Sequence, residues 1–185
     1  DQAITRLCAC FERALVGMLA MPERPVSAID LLDETERRQL VVDWNATARA
    51  YPREQTIVDL FAAQAQRSPQ SVAVSCGEER LSYEELDRRA NRLAHHLRSL
   101  GAGPEQVVGV CLERSVELIV SLLGILKAGG AYLPLDPEYP QERLSFQLSD
   151  AAAPLVVSTA ALADRLASFA GQVVLLDEDA AAIAA

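Results

Sequence analysis

The stretch Leu126-Lys127-Ala128-Gly129-Gly130-Ala131-Tyr132-Leu133-Pro134-Leu135-Asp136-Pro137-Glu138-Tyr139-Pro140-Gln141-Glu142-Arg143-Leu144 decides the reading of this chain. It opens on the end of an apolar helical run and meets a glycine stop at Gly129-Gly130. A short apolar strand follows from Ala131 to Leu135, and Asp136-Pro137 turns the chain toward a helix whose first turn holds Pro140. Proline fixes its own φ at about −65° and pushes the residue before it out of the helical region. Pro134, Pro137 and Pro140 therefore set the chain direction three times in seven residues. Asp136 and Arg143 flank this turn, and a contact between them would staple the fold before it served as a site.

Working outward, the same rhythm continues on both sides. Upstream, Thr56 is expected to cap a helix reaching Arg67, Val72–Cys76 and Arg80-Leu81 read as a hairpin, and Ser82 with Glu85 forms a capping-box pattern. Behind it, Tyr83, Leu86, Ala90, Leu93, Ala94, Leu97 and Leu100 recur at helical spacing until Gly101 and Gly103. Val107–Leu112 reads as a strand and Val116–Ala128 as a helix apolar nearly all round. Downstream come a helix over Pro140–Asp150, a strand over Leu155–Ser158, a helix over Ala160–Ala167 and a strand over Val173–Leu176. Asp177–Ala185 shows neither a helix stop nor a strand partner. Alternating helices and short apolar strands predict an α/β fold: a partial parallel sheet with helices on both faces.

Two different textures precede it. In residues 1–24, Ile4, Leu7, Phe11, Leu15, Met18 and Leu19 lie at helical spacing up to Pro22, which gives an isolated amphipathic helix with no partner nearby in sequence. Residues 25–55 read as a linker. Within it Asp33-Glu34-Thr35-Glu36 opens a short helix reaching Val42, and Trp44 and Tyr51 are expected to anchor an otherwise aperiodic stretch. The absence of Gly/Ser runs argues against a flexible tether.

Composition narrows the function. The 185 residues are half hydrophobic, which suffices for a packed core, and carry a formal net charge of −9 with a pI of about 4.7. A nucleic-acid binder would show a basic face, so no nucleic-acid partner is expected. The longest apolar run, Val116–Gly130, is broken by Glu117, Ser121 and Lys127 and falls short of the roughly 20 apolar residues a membrane helix needs. No membrane partner is expected. The charged first residues do not read as a signal peptide, which points to a cytoplasmic protein. Cys8, Cys10, Cys76 and Cys111 lack zinc or redox spacing and are expected to be reduced thiols acting as small apolar residues.

A search for chemistry returns little. No GxGxxG and no GxxxxGK[ST] occurs. Lys127, the only lysine, ends a helix, where its charge complements the helix dipole. His95 and His96 are adjacent on a helix, point about 100° apart and cannot share a metal. Catalytic, cofactor-binding and metal residues are accordingly assigned to none.

The quoted segment nevertheless resembles, nearly residue for residue, a core motif of the adenylation domains of nonribosomal peptide synthetases, a branch of the adenylate-forming enzymes. Acyl-CoA synthetases and luciferases carry looser versions of it. Leu81-Ser82-Tyr83-Glu84-Glu85-Leu86 resembles the core motif before it. Ala90-Asn91-Arg92-Leu93-Ala94 and Val108-Gly109-Val110-Cys111-Leu112-Glu113-Arg114-Ser115 are similar to the stretches between the two. Trp44-Asn45-Ala46-Thr47 resembles the linker that precedes such domains, and residues 1–24 the last helix of a condensation domain. The resemblance implies three parts: a condensation-domain helix over 1–24, an inter-domain linker over 25–55, and the N-terminal portion of the large adenylation subdomain over 56–185.

What the resemblance implies about activity belongs to the parent. Such domains use ATP and Mg²⁺ to turn an amino acid into an aminoacyl adenylate, then pass it to the phosphopantetheine thiol of a carrier domain. The implied partners are the rest of the synthetase and an MbtH-like protein, for which Pro140–Ala153 is the candidate surface. The Ser/Thr/Gly-rich phosphate loop that follows the second motif in the family has no match here, since Ser158-Thr159-Ala160-Ala161 holds hydroxyls without glycines. No ATP-binding or catalytic residue carries over, and the 185 residues alone are expected to be inactive, broken off before the phosphate loop. Two other readings compete: a standalone α/β binding module, and a divergent adenylate-forming enzyme.

Overall fold

The computed structural model describes residues 2–23 and 25–184. They form two compact units, Asp1–Pro52 and Arg53–Ala185. The first holds helix α1 (Gln2–Ala20), a 3₁₀ turn at Val26–Ala28, helix α2 (Glu34–Arg38) and a π-helical turn at Gln39–Asp43. Asp33 caps α2 with both bonds of a capping box to Glu36. Ile4, Leu7, Phe11, Leu15, Met18 and Leu19 of α1 all stand exposed, so the stripe read from the sequence is real and uncovered. Trp44 and Tyr51 correct an expectation: their side chains are 60% and 67% exposed rather than buried as anchors.

The second unit begins with α3 (Ile57–Arg67), capped by Thr56 and Asp59, and the antiparallel hairpin β1 (Val72–Cys76) and β2 (Glu79–Ser82). Then come α4 (Tyr83–Ser99), β3 (Val107–Cys111), α5 (Val116–Ala128), β4 (Ala131–Leu135), α6 (Gln141–Asp150), β5 (Leu155–Ser158), β6 (Gln172–Leu175) and α7 (Ala180–Ala184). The four strands β4-β3-β5-β6 form one parallel sheet in that order. Successive side chains of a strand point to opposite faces, and the core divides accordingly. Val108, Val110, Leu155 and Val157 pack with Leu86, Leu93 and Leu97 of α4 and Val120 and Ile125 of α5. Cys111 and Val156 pack on the other face with Leu144 and Leu148 of α6 and Leu166. Gly109 makes that second packing possible, because a Cβ there would stand 2.6 Å from Val156 Cγ2 and 2.7 Å from Leu148 Cδ2.

Strand β4 is an edge. The Ala131 amide donates to the Gln106 carbonyl at 2.9 Å, toward β3. Backbone groups of a parallel strand alternate sides, so Leu133 and Leu135 also face β3, while Tyr132 and Pro134 face outward. Pro134 thus lacks its amide where no ladder bond needs it.

Three local readings need correction. Ser82 Oγ accepts the Glu85 amide, but the Glu85 carboxylate does not return to close a capping box. It is taken instead by Arg88 Nε at 3.0 Å and Arg89 Nε at 2.8 Å, whose charge makes the stronger partner. Ala160–Leu166 winds as 3₁₀ turns, not as an α-helix. Helix α6 starts at Gln141, with Pro140 as its cap. Asp177–Ala185, read as lacking a helix stop and a strand partner, contains α7, and Ile183 packs against the core. No helix among the described residues is long and apolar enough to cross a membrane.

Candidate functional site

In an open parallel sheet the ligand crevice lies beyond the carboxyl ends of the strands, where successive connections diverge. Here β3 connects to β4 on one side and β5 to β6 on the other, so the connections diverge between β3 and β5. A cleft of about 610 Å³ opens beside that point, at the carboxyl ends of β3 and β4. Leu112, Glu113 and Arg114 leave β3 on one side, Pro134 to Tyr139 leave β4 on the other, and Gln147 of α6 closes the back.

Each wall is fixed by local bonds. Ser115 Oγ accepts the Leu118 amide at 3.3 Å, starting α5 at the cleft rim, and donates to the Glu113 carbonyl at 3.2 Å. On the other wall the Asp136 carboxylate accepts the Glu138 amide at 3.0 Å, a turn mimicked by a side chain, while the Asp136 carbonyl accepts the Tyr139 amide at 3.0 Å. Arg143 lies with its guanidinium carbon 3.8 Å from the Tyr139 ring centre. Among the described residues Asp136 and Arg143 form no ion pair, so the expected staple is replaced by a cation–π stack within the same turn. Ser158, fully buried, donates from Oγ to the Cys111 carbonyl at 2.9 Å and locks the ends of β5 and β3 together. Gln147 Oε1 is buried with no hydrogen-bond partner.

The cleft carries three carboxylates, Glu113, Asp136 and Glu138, against one guanidinium, Arg114. That balance repels a triphosphate, and no glycine-rich loop or lysine stands at the rim to receive one. Nor do described His, Cys, Asp and Glu residues gather in a group that could hold a metal ion. The residues lining this cleft do not fit ATP with Mg²⁺.

The residues weighed from the sequence lie elsewhere. Lys127 sits in the last turn of α5 and does not line the cleft, its side chain only 10% exposed. Its Nζ donates to Asp87 Oδ1 and Asn91 Oδ1, both at 2.7 Å, and stands 5.7 Å from the Phe61 ring centre, tying α5 to α4 and α3. The carbonyls at the end of α5 are instead taken by Arg98, at 2.9 Å for Lys127 and 3.2 Å for Ala128. His95 is exposed and His96 half-buried on α4. Cys111 is buried, and burial pushes its thiol pKa up; Cys10 is half-buried, whereas Cys8 and Cys76 are exposed and do not act as core residues. Reading the sequence passed over Glu113, Gln147 and the structural role of Ser158. A hydroxyl ending the apolar run Leu155-Val156-Val157 was the available signal for the last.

The chain matches the family model described as AMP-binding enzyme over residues 61–184. It is 46% identical over 176 residues to a linear gramicidin synthase of Brevibacillus parabrevis, covering 95% of this chain and 2% of that protein. To tyrocidine synthase 3 of the same organism it is 44% identical, covering 90% of this chain and 3% of the relative. Among solved structures, the nonribosomal peptide synthetase FmoA3 superposes with a TM-score of 0.72 at 34% identity, covering 95% of this chain and 19% of that one. The N-terminal subdomain of Klebsiella oxytoca NpsA, solved with 3-hydroxyanthranilyl-AMSN, superposes with a TM-score of 0.62 at 25% identity, covering 67% of this chain and 31% of that one. The chain therefore spans a small fraction of the synthetases it matches, and within them its second unit corresponds to the N-terminal part of an adenylation domain. With more than half its length inside the matched region, this chain belongs to the AMP-binding enzyme family.

Proposed function

We propose that the chain is a junction piece of a nonribosomal peptide synthetase: a condensation-domain helix over 1–24, a linker over 25–55 and the opening of an adenylation domain over 56–185. The parent activates an amino acid with ATP and Mg²⁺ to an aminoacyl adenylate and loads it on the phosphopantetheine of a carrier domain in the cytoplasm. The observation that carries this reading is the match to the linear gramicidin synthase, which covers 95% of the chain. The uncovered stripe Ile4, Leu7, Phe11, Leu15 and Met18 supports the first assignment, since an apolar face of this size belongs in a core.

The acidic lining of the cleft supports a scaffold role for these residues, and the 185 residues alone are expected to be inactive. ATP–pyrophosphate exchange with mixed amino acids tests this directly. The parent exchanges label and this chain does not; exchange by the chain alone overturns the proposal. An MbtH-like partner would meet α6 on the side away from the sheet. Leu144 and Leu148 are buried under the helix, while Phe146 is 66% exposed. Co-purification lost on Phe146→Asp supports that contact, and no association with the wild-type chain ends it.

A further inference from the structure

One side of α1 is occupied within its own unit. It is the side of Cys10, Arg13 and Gly17, away from the exposed apolar stripe. Ile29 lies against Gly17, its Cγ2 within 2.9 Å of where a Cβ would stand. Arg13 then reaches three acceptors of the following segment: Nη1 donates to the Leu31 carbonyl at 2.7 Å and Glu36 Oε2 at 2.9 Å, and Nη2 donates to Asp33 Oδ2 at 2.8 Å. Arg6 adds an ion pair to Glu36 at 3.4 Å. Asp33 and Glu36 are also the two partners of the α2 capping box. The group that starts the helix and the group that fastens it to α1 are thus the same pair of carboxylates. A planar guanidinium suits this task because it presents several donors in a fixed fork.

Past α2 the π turn ends where Asn45 Nδ2 donates to the Leu40 carbonyl at 2.8 Å and the Val41 carbonyl at 3.2 Å. Residues 46–55 carry neither helix nor strand. We infer that Arg13 is a latch that makes residues 26–43 one body with α1. This splint covers the polar side of α1 while leaving the apolar stripe open.

Hydrogen exchange of the 185-residue protein, read by mass spectrometry, tests the latch. After correction for intrinsic rates, peptides over 34–43 exchange about ten-fold more slowly than those over 46–55, and Arg13→Gln removes most of that difference without altering peptides over 83–128. If Arg13→Gln also loosens 2–20, Glu36→Gln decides, because glutamine still completes the capping box while one of the two carboxylate charges that hold Arg13 is gone and only Asp33 remains. The latch is overturned if 34–43 exchanges as fast as 46–55 in the wild type, or if its protection survives both substitutions.

Discussion

Gly109→Ala probes the packing that places the cleft walls. The added methyl would stand 2.6 Å from Val156 Cγ2, 2.7 Å from Leu148 Cδ2 and 3.3 Å from Leu135 Cδ1. Carbon atoms in good contact lie about 3.5–4.0 Å apart, so two neighbours must each give by about 1 Å. Neither has room, for Val156 and Leu148 are 0% and 1% exposed. Overpacking of this kind costs about 1–3 kcal/mol, and the smaller conformational entropy of unfolded alanine offsets about 0.4–1 kcal/mol. The expected net loss is about 1.3 kcal/mol, or roughly 3–6 °C in Tm for a domain of this size. Urea unfolding followed by far-ultraviolet circular dichroism is the suitable assay, because the only tryptophan, Trp44, lies in the other unit. Gly103→Ala serves as control, with nothing within 4 Å of the new methyl and no positive φ. The packing argument fails if Gly109→Ala stays within about 0.5 kcal/mol of wild type, or loses no more than the control.

Three further outcomes follow from the same structure. Lys127→Met strands the Asp87 carboxylate and is expected to cost about 2 kcal/mol, with a coupling of at least about 1 kcal/mol to Asp87→Asn in a double-mutant cycle; additive effects would show that the pair does not clamp α5 to α4. Arg88 and Arg89 hold the Glu85 carboxyl below its ordinary pKa. Its contribution is therefore full above the unfolded glutamate value of about 4.3 and is lost as pH falls through the lowered folded value, so denaturation midpoints of Glu85→Gln should fall less than wild type on acidification. Equal slopes would remove Glu85 from the acid response. Burial and its raised pKa should keep Cys111 from iodoacetamide in the native protein while Cys8 and Cys76 alkylate, and labelling of Cys111 as fast as Cys76 would show an open core.

Elements bounded by strong local chemistry were legible. Thr56, Ser82 and Asp33 each cap the helix expected of them, and the spacing of Leu86, Ala90, Leu93, Ala94 and Leu97 named the buried face of α4. Alternation revealed a parallel sheet, yet the order β4-β3-β5-β6 depends on connections that no local pattern records. Lys127 illustrates the same limit: its partner Asp87 lies 40 residues away, and only the packing of α4 on α5 brings them together. The cleft's acidity was hidden likewise, since Glu113 and Asp136 become neighbours in space only when β3 and β4 pair. Composition misled at Ala160–Leu166, where good helix formers wind too short a segment to sustain an α-helix. At Ala180–Ala184 a run with no stop signal in its sequence is held by Ile183 against the core instead.

Pro134 has a consequence for how this protein behaves in a crowded solution. A foreign strand approaching the outer side of β4 meets one amide donor, at Tyr132, and then a pyrrolidine ring where the next should be. Cross-strand zippering, the first step of fibril growth, needs an unbroken row of such donors. The same residue that steers the chain into its turn therefore denies neighbouring molecules a template along β4, and keeps the sheet from propagating beyond that edge.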